Sequence, residues 1–441
     1  MKLTRVLLIL GLIVVVFGFS PQSAQAGAFT YTSGFQVQNL DIAAAAIYID
    51  FYNQDGTQPP GMPIHDSLVS FGSKTYFPLN QVPTGFNGSV VITSTTQVAA
   101  VSNVHGNNYS ANASYVAFSN GNTEVFIPLL MKNNSGYNTW FNVQNTGTVD
   151  AVVDVNYSDG TTAQKTVKPF ASQTFDQALE THPVKVFSAK VTSGQPVAVT
   201  VIEENNVMMF AYNGFLGAST NPVIPLVNAN NSGFTTGVQI QNVGASSTSV
   251  TLSYTPSSAG TACTETQSIS AGQSKTFTLG AFTSGTNSNC SAGAKFIGSA
   301  EVTANSNSQS LVAVANQHRI GTNGEAYGAF NPADASDTVV LPLIMDRNSG
   351  YWTGFNVMNV GAGSTSVTCT FTNTSYEVGP VTLAAGEALT DLQNGKIASK
   401  YVGSATCKAS NPPGKIIAVV NELGPSGTLD QLLVYEGISV K

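Results

Sequence analysis

The stretch Asn134-Ser135-Gly136-Tyr137, followed by Phe141-Asn142-Val143-Gln144-Asn145-Thr146-Gly147, recurs along the chain. It returns as Asn231-Ser232-Gly233-Phe234 with Val238-Gln239-Ile240-Gln241-Asn242-Val243-Gly244. It returns again as Asn348-Ser349-Gly350-Tyr351 with Phe355-Asn356-Val357-Met358-Asn359-Val360-Gly361. A shortened copy stands near the start, Ser33-Gly34-Phe35-Gln36-Val37-Gln38-Asn39-Leu40-Asp41. In every copy apolar residues alternate with Gln, Asn or Met, the period of a strand with one buried face. The Asn that follows can bond its own backbone and open a turn, and the Gly two residues later accepts positive φ. Asp41 holds that last position in the first copy, where a left-handed turn would suit it less well.

Working outward, each copy is followed by the same order of signals. A second alternating strand carries Ile47, Ile49 and Phe51, then Val153, Val155 and Tyr157, then Val250, Leu252 and Tyr254. Asp55-Gly56 and Asp159-Gly160 read as hairpin turns rather than calcium loops. A Gly-x-Ser corner follows, as in Ala271-Gly272-Gln273-Ser274, and then a strand of the Gly-Ser-Ala type, as in Gly298-Ser299-Ala300. Three copies are preceded by Ile-Pro-Leu or Leu-Pro-Leu at Pro128, Pro225 and Pro342, which suits an edge strand because Pro donates no ladder hydrogen bond. Seven or so short strands per repeat, with frequent turns and few helical periodicities, predict an all-β protein of four tandem immunoglobulin-like β-sandwich modules after a signal peptide. The expected boundaries are 27–121, 122–220, 221–337 and 338–441, with 1–26 as the signal. The short links predict a semi-rigid rod with edge strands open to neighbours.

Residues 1–26 carry Lys2 and Arg5, an apolar run from Val6 to Phe19, and Ala24-Gln25-Ala26, the form of a secretory signal with its cleavage site. The mature chain is therefore expected to begin at Gly27, outside the cell or at its surface, with no transmembrane segment. Charged residues are only 9% of the 441, well below the roughly 25% of ordinary soluble domains. A net charge of −7 and the lack of a basic face argue against a nucleic-acid partner.

The order of strand, Asn-x-Gly turn, strand, Gly-x-Ser corner and Gly-Ser-Ala strand resembles bacterial immunoglobulin-like repeats of the CARDB type, found in secreted and cell-surface proteins. The resemblance spans the whole mature chain. It implies a fold and a location, and brings no catalytic residues.

The four cysteines lie in the last two repeats. Cys369 aligns with Ile49, Val155 and Leu252, and Cys407 with Ile92, Val191 and Val302. A Cys369–Cys407 cystine is thus expected to replace an apolar pair that touches across the core, as in immunoglobulin domains. Cys263 and Cys290 are expected to tether the long loop of the third repeat. Metal binding is the alternative, disfavoured because no CxxC pair is present. No metal site or cofactor is expected.

His105 and His318 occupy matching positions, two residues after Asn103 and Asn316, and read as solvated loop histidines. No GxSxG elbow or phosphate-cradling loop appears, and acidic residues do not recur at one place, so no enzyme is expected. Trp140 and Trp352 stand out of phase with the buried positions and are expected to face outward. There each would pack against a neighbouring module or subunit, or stack on a glycan. The sequence therefore points to a non-enzymatic structural protein of a surface layer, sheath or filament, whose partners are itself or neighbouring surface proteins. The alternative is an adhesin that binds cell-envelope glycans.

Overall fold

The computed structural model describes residues 27–277, 282, 287–305, 309–319, 321–410, 414–425 and 430–440. The expected signal, and part of the Thr283–Ala294 loop, lie outside the described residues. The fold is all-β, with several antiparallel sheets and a single short 3-10 turn, Pro332–Asp334, among the described residues. No helix there is long and apolar enough to cross a membrane.

The recurring stretch builds two local devices. Asn-Ser-Gly-Tyr/Phe is a two-residue hairpin turn. Asn134 and Tyr137 exchange backbone hydrogen bonds, as do Asn231 with Phe234 and Asn348 with Tyr351. Both central residues have positive φ, 52° and 86° at Ser135 and Gly136, the geometry of a primed turn. In the shortened first copy, Ser33-Gly34 lies inside the strand Tyr31–Asn39 and forms no turn.

The second device is the Asn at the strand's end. Asn39, Asn145, Asn242 and Asn359 are fully buried. Asn242 donates from Nδ2 to the carbonyls of Ser246 and Ile269, and its Oδ1 accepts from the Gly244 N–H. The same three bonds recur at Asn39, Asn145 and Asn359. Gly147, Gly244 and Gly361 do not have positive φ, contrary to the sequence reading. A Cβ at Gly244 would instead lie 2.2 Å from Gln309 Oε1 and 2.9 Å from Gln309 Cβ, so a larger residue fits there only if that glutamine moves. Asp41 fills the first copy's position because no left-handed turn is required.

Pro128-Leu129, Pro225-Leu226 and Pro342-Leu343 are bulges: two residues oppose one, Ser188, Ser299 or Ser404. The bulged leucine turns its N–H and C=O inward, where one tyrosine hydroxyl meets both. Tyr435 Oη donates to the Leu343 carbonyl at 2.6 Å and accepts from its N–H. Tyr212 and Tyr327 do the same for Leu129 and Leu226. The bulge, more than an edge location, accommodates the proline: Thr338–Asp346 is flanked by strands on both sides.

The expected rod is not what forms. Side chains link each repeat to the next: Ser89 Oγ donates to the Phe170 carbonyl, Ser188 Oγ to that of Gly272, and Ser299 Oγ to that of Gly386. The fourth repeat then meets the first, where Gln36 Nε2 donates to the carbonyls of Pro342, at 2.6 Å, and Gly403. The apolar clusters run across the same joints, with Val101 of the first repeat packed among Leu341 and Leu343 of the fourth. The chain closes into a ring because each repeat buries apolar surface against two others, which a linear array denies to its ends.

Two outcomes follow. In solution the chain from Gly27 onward has a radius of gyration near the ~22 Å of a compact chain of its length, by small-angle scattering. A value typical of a four-unit rod would contradict the ring. Replacing Asn242 by Ala removes three hydrogen bonds to the backbone, leaves the buried Ile269 carbonyl unpaired, and lowers stability by roughly 1–3 kcal/mol in denaturant unfolding.

Candidate functional site: a buried polar hub

Near the end of each repeat comes a short strand at the edge of its sheet: Ala111–Val116, Met209–Asn213, Asn323–Gly328 and Leu432–Glu436. These four edge strands face one another at the centre of the ring. An edge strand presents backbone groups that its own sheet leaves unpaired. Here carboxylates from neighbouring repeats meet them. Glu325, in the third repeat, accepts from the Ser114 N–H of the first at 2.9 Å and from the Ala211 N–H of the second. Asp430, in the fourth, accepts from the N–H groups of Met209 and Gly324, at 3.1 and 3.0 Å. Glu436 Oε1 accepts from Gly328 N–H at 2.6 Å. Ser114 Oγ donates to the Val434 carbonyl, and Asn213 Nδ2 to that of Val116.

A second layer lies on the preceding strands. Asn316 Nδ2 donates to Glu203 Oε2 at 2.6 Å, joining the third repeat to the second. Asn103 Nδ2 donates to Glu422 Oε2 at 3.1 Å, joining the first to the fourth. The matching joint between first and second repeats is apolar, with Val104 and Ile202 in one cluster. Glu203, Glu325, Glu422 and Asp430 are all fully buried. None of them takes part in an ion pair among the described residues.

Burial without a cation favours the protonated acid. It pushes Glu203 and Glu422 up to about 8, opposed only by one amide donor each. Glu325 and Asp430 are also raised by burial, against the pull of several backbone N–H groups that favour the charged form. The hub therefore contains neutral carboxyls at mildly acidic pH. Among the described residues no group of three His, Cys, Asp or Glu is arranged to hold a metal ion. A cleft of about 310 Å³ opens where the edge strands end, with mainly apolar walls that include Val116, Phe215, Leu311 and Phe330, and with Asn213 and Glu436 as polar members.

The residues singled out in the sequence lie mostly elsewhere. Trp140 is half-buried and lies outside its own repeat's apolar core: its ring packs edge-on against Tyr31 of the first repeat at 5.5 Å. Beside it, Tyr31 Oη donates to Glu204 at 2.6 Å. Trp352 is half-buried at the start of Trp352–Asn359. His105 and His318 are strand residues, where solvated loops were expected. Burial lowers both imidazoles, and His105 Nδ1 bonds Asn112 Oδ1 at 2.7 Å.

The structure bonds Cys263 to Cys290 and Cys369 to Cys407. The second bridge departs from the immunoglobulin-type expectation. Cys369 and Cys407 are direct partners on adjacent strands of one sheet, as are Ile49 with Ile92 and Val155 with Val191. The aligned apolar pair was a cross-strand pair, so the cystine does not span the core.

No family model matches the chain, and no curated protein matches it. One solved structure, described as a tetra-tandem repeat in the extending region of a large adhesion protein, aligns over 94% of this chain and 96% of its own. Its sequence identity is 12% and its TM-score 0.12. A score so low carries no argument about fold or function.

The hub predicts how stability depends on pH. Glu203 and Glu422 have folded-state pKa values of about 8 against 4.5 for an ordinary glutamate. Their contribution is fully present below 4.5 and is lost as pH rises through 8, by roughly 1.4 kcal/mol per pH unit for each carboxyl inside that window. Asp346 has the opposite sign: its salt bridge and hydrogen bonds from Arg347, Gly395 and Ile397 lower it against its burial, so its support is lost on acidification below the normal aspartate range. Thermal unfolding therefore has its highest midpoint in mildly acidic buffer. Glu203→Gln with Glu422→Gln flattens the alkaline slope, and an unchanged slope in that double variant would refute the assignment.

Proposed function

We propose that this is a non-enzymatic extracellular structural protein, built of four immunoglobulin-like sandwiches, that contributes to a surface layer, sheath or filament. The observation that carries this reading is the use to which buried polar groups are put. Glu325 and Asp430 cap the backbone of neighbouring repeats, and Glu203 and Glu422 tie strands together, so the hub is spent on cohesion. The disulfides and the low charge suit an oxidising exterior. A charge-poor surface also offers little self-repulsion to oppose close packing.

With the central edges enclosed, contact between molecules falls to other features. An apolar tip on the first repeat suits it: Ile42 is 81% exposed, Val69 73% and Phe71 47%. Phe71 N–H bonds the Asp41 carbonyl, which holds the two loops of the tip side by side. Ring molecules joined through such tips would form a layer or a file of compact units in place of a bundle of rods. Partners are copies of itself or neighbouring surface proteins.

Electron microscopy of the purified secreted protein tests the reading. Ordered assemblies are expected, and Ile42→Glu with Val69→Glu should disperse them while leaving the unfolding midpoint unchanged. A dispersed monomer that binds one oligosaccharide tightly would favour the adhesin alternative. Turnover of a substrate that is lost on substituting His105 or His318 would overturn the non-enzymatic reading.

A further inference from the structure

Among the described residues, which begin at Gly27, the first repeat has no counterpart of a strand that the other three possess. In the second, third and fourth repeats the sheet that carries the cross-strand pair is extended by Asn122–Met131, Val223–Ala229 or Thr338–Asp346. In the first, the corresponding sheet has three strands, Ile64–Leu68, Ala45–Asn53 and Gly88–Ser94, and Gly88–Ser94 is its edge. The side chains beside that edge record the loss. Ala189, Val191, Ala300, Val302, Ala405 and Cys407 are at most 1% exposed beneath the added strand. Their counterparts Val90 and Ile92 are only half-buried. Tyr115 matches Tyr212, Tyr327 and Tyr435 but has no bulged leucine to bond, and its hydroxyl interacts with Ser102.

The edge carries none of the usual protection. Gly88-Ser89-Val90-Val91-Ile92-Thr93-Ser94 contains no charge and no proline, whereas edge strands are normally blunted by one or the other. The opposite edge of the same sheet, Ile64–Leu68, does carry a charge, Asp66, paired with Lys74. On the neighbouring second repeat, the residue facing the vacant position is the half-buried Thr200. Its counterparts Val101, Val314 and Val419 are buried against the strand that is present there. A hydroxyl at that place tolerates hydration where the three valines would not.

We propose that Gly88–Ser94 accepts an extended, uncharged segment from another protein chain, pairing antiparallel as the missing strand. Its chemistry is set by the three strands that fill the same place internally. Aliphatic residues alternate along it, and a Pro-Leu bulge lies opposite Ser89 as Pro128-Leu129 lies opposite Ser188. Main-chain hydrogen bonds supply affinity, and the half-covered Val90 and Ile92 supply selectivity for aliphatic side chains. The uncharged edge selects against segments with Lys, Asp or Glu in the paired stretch, which would lose hydration without gaining a partner. The site is argued from the fold alone, and its test reads no assembly, so it stands or falls apart from the structural-protein reading.

Register-specific trapping tests it. In the second repeat Val191 pairs with Val125. Ile92 is the counterpart of Val191, and the fourth repeat already has Cys407 at that position. The protein carrying Ile92→Cys is mixed with a peptide of residues 122–131 in which glutamine replaces Glu124, so that the paired stretch is uncharged, and cysteine replaces the valine at 125. A second peptide carries the cysteine one place along, at 126. Because a one-residue slip sends side chains to the other face, the first peptide should form the mixed disulfide at least about tenfold faster than the second. Equal rates, or no adduct while the same thiol reacts with a small disulfide reagent, would overturn the proposal. Protein that keeps residues 1–26 is run in parallel, and protection of Ile92→Cys by those residues would assign the edge to the chain's own leader and overturn it as well. Should Ile92→Cys fail to fold, the unaltered protein is titrated with the same uncharged peptide bearing valine at 125. Saturable binding with NMR shifts centred on Gly88–Ser94 is expected, and no binding refutes the site.

Discussion

Four edge strands meet at the centre of this molecule with backbone N–H groups that no sheet completes, and the architecture depends on how those donors are met. A buried unpaired N–H costs about as much as a lost hydrogen bond. Pairing the edges directly would fuse the sheets and fix their twist across all four repeats. Carboxyl side chains avoid this: Glu325 reaches two neighbouring repeats at once, and Asp430 reaches two others. The same choice brings acids into an interior where, among the described residues, none of Glu203, Glu325, Glu422 and Asp430 has a cationic partner. Closure of the ring and preference for mild acid are thus two results of one solution to the edge problem.

Much of each repeat was legible in the sequence. The alternation around Phe141 and Val143 marks a strand, and the Asn that follows marks its corner, because both depend on local geometry that every repeat must reproduce. The cysteine pairing was legible for a related reason: aligning the repeats shows which apolar pair each cystine replaces. Its placement across the core was an error of analogy, since the alignment itself pairs Ile49 with Ile92, direct neighbours in one sheet.

The ring and its hub were not legible, because contacts between repeats need not be periodic. One position is filled by Val104, Glu203, Gln317 and Glu422, and the position before it by Asn103, Ile202, Asn316 and Asn421. Two joints became Asn–Glu bonds and one became an apolar contact. An argument that functional acids should recur in every repeat therefore overlooks acids that work between repeats. A usable signal was present all the same. Asn103, Asn316 and Asn421 share a place inside otherwise aliphatic strands, where an amide has no role in a sandwich core.

Closing the ring also limits how such a molecule can meet others. In a linear array every repeat would present its outer strand, and association would be unspecific along the whole length. Here three repeats enclose that edge twice, by the added strand on one sheet and by the central hub on the other. Among the described residues the first repeat does so only at the hub. Val90 and Ile92 are half-covered there, while the third and fourth repeats hold Val302 and Cys407 dry. An array of similar units in which one alone leaves this edge unenclosed among the described residues has a direction, and the strand addition proposed for it is confined to one place per molecule. The missing strand thereby gives a ring of four similar repeats a single, distinguishable side.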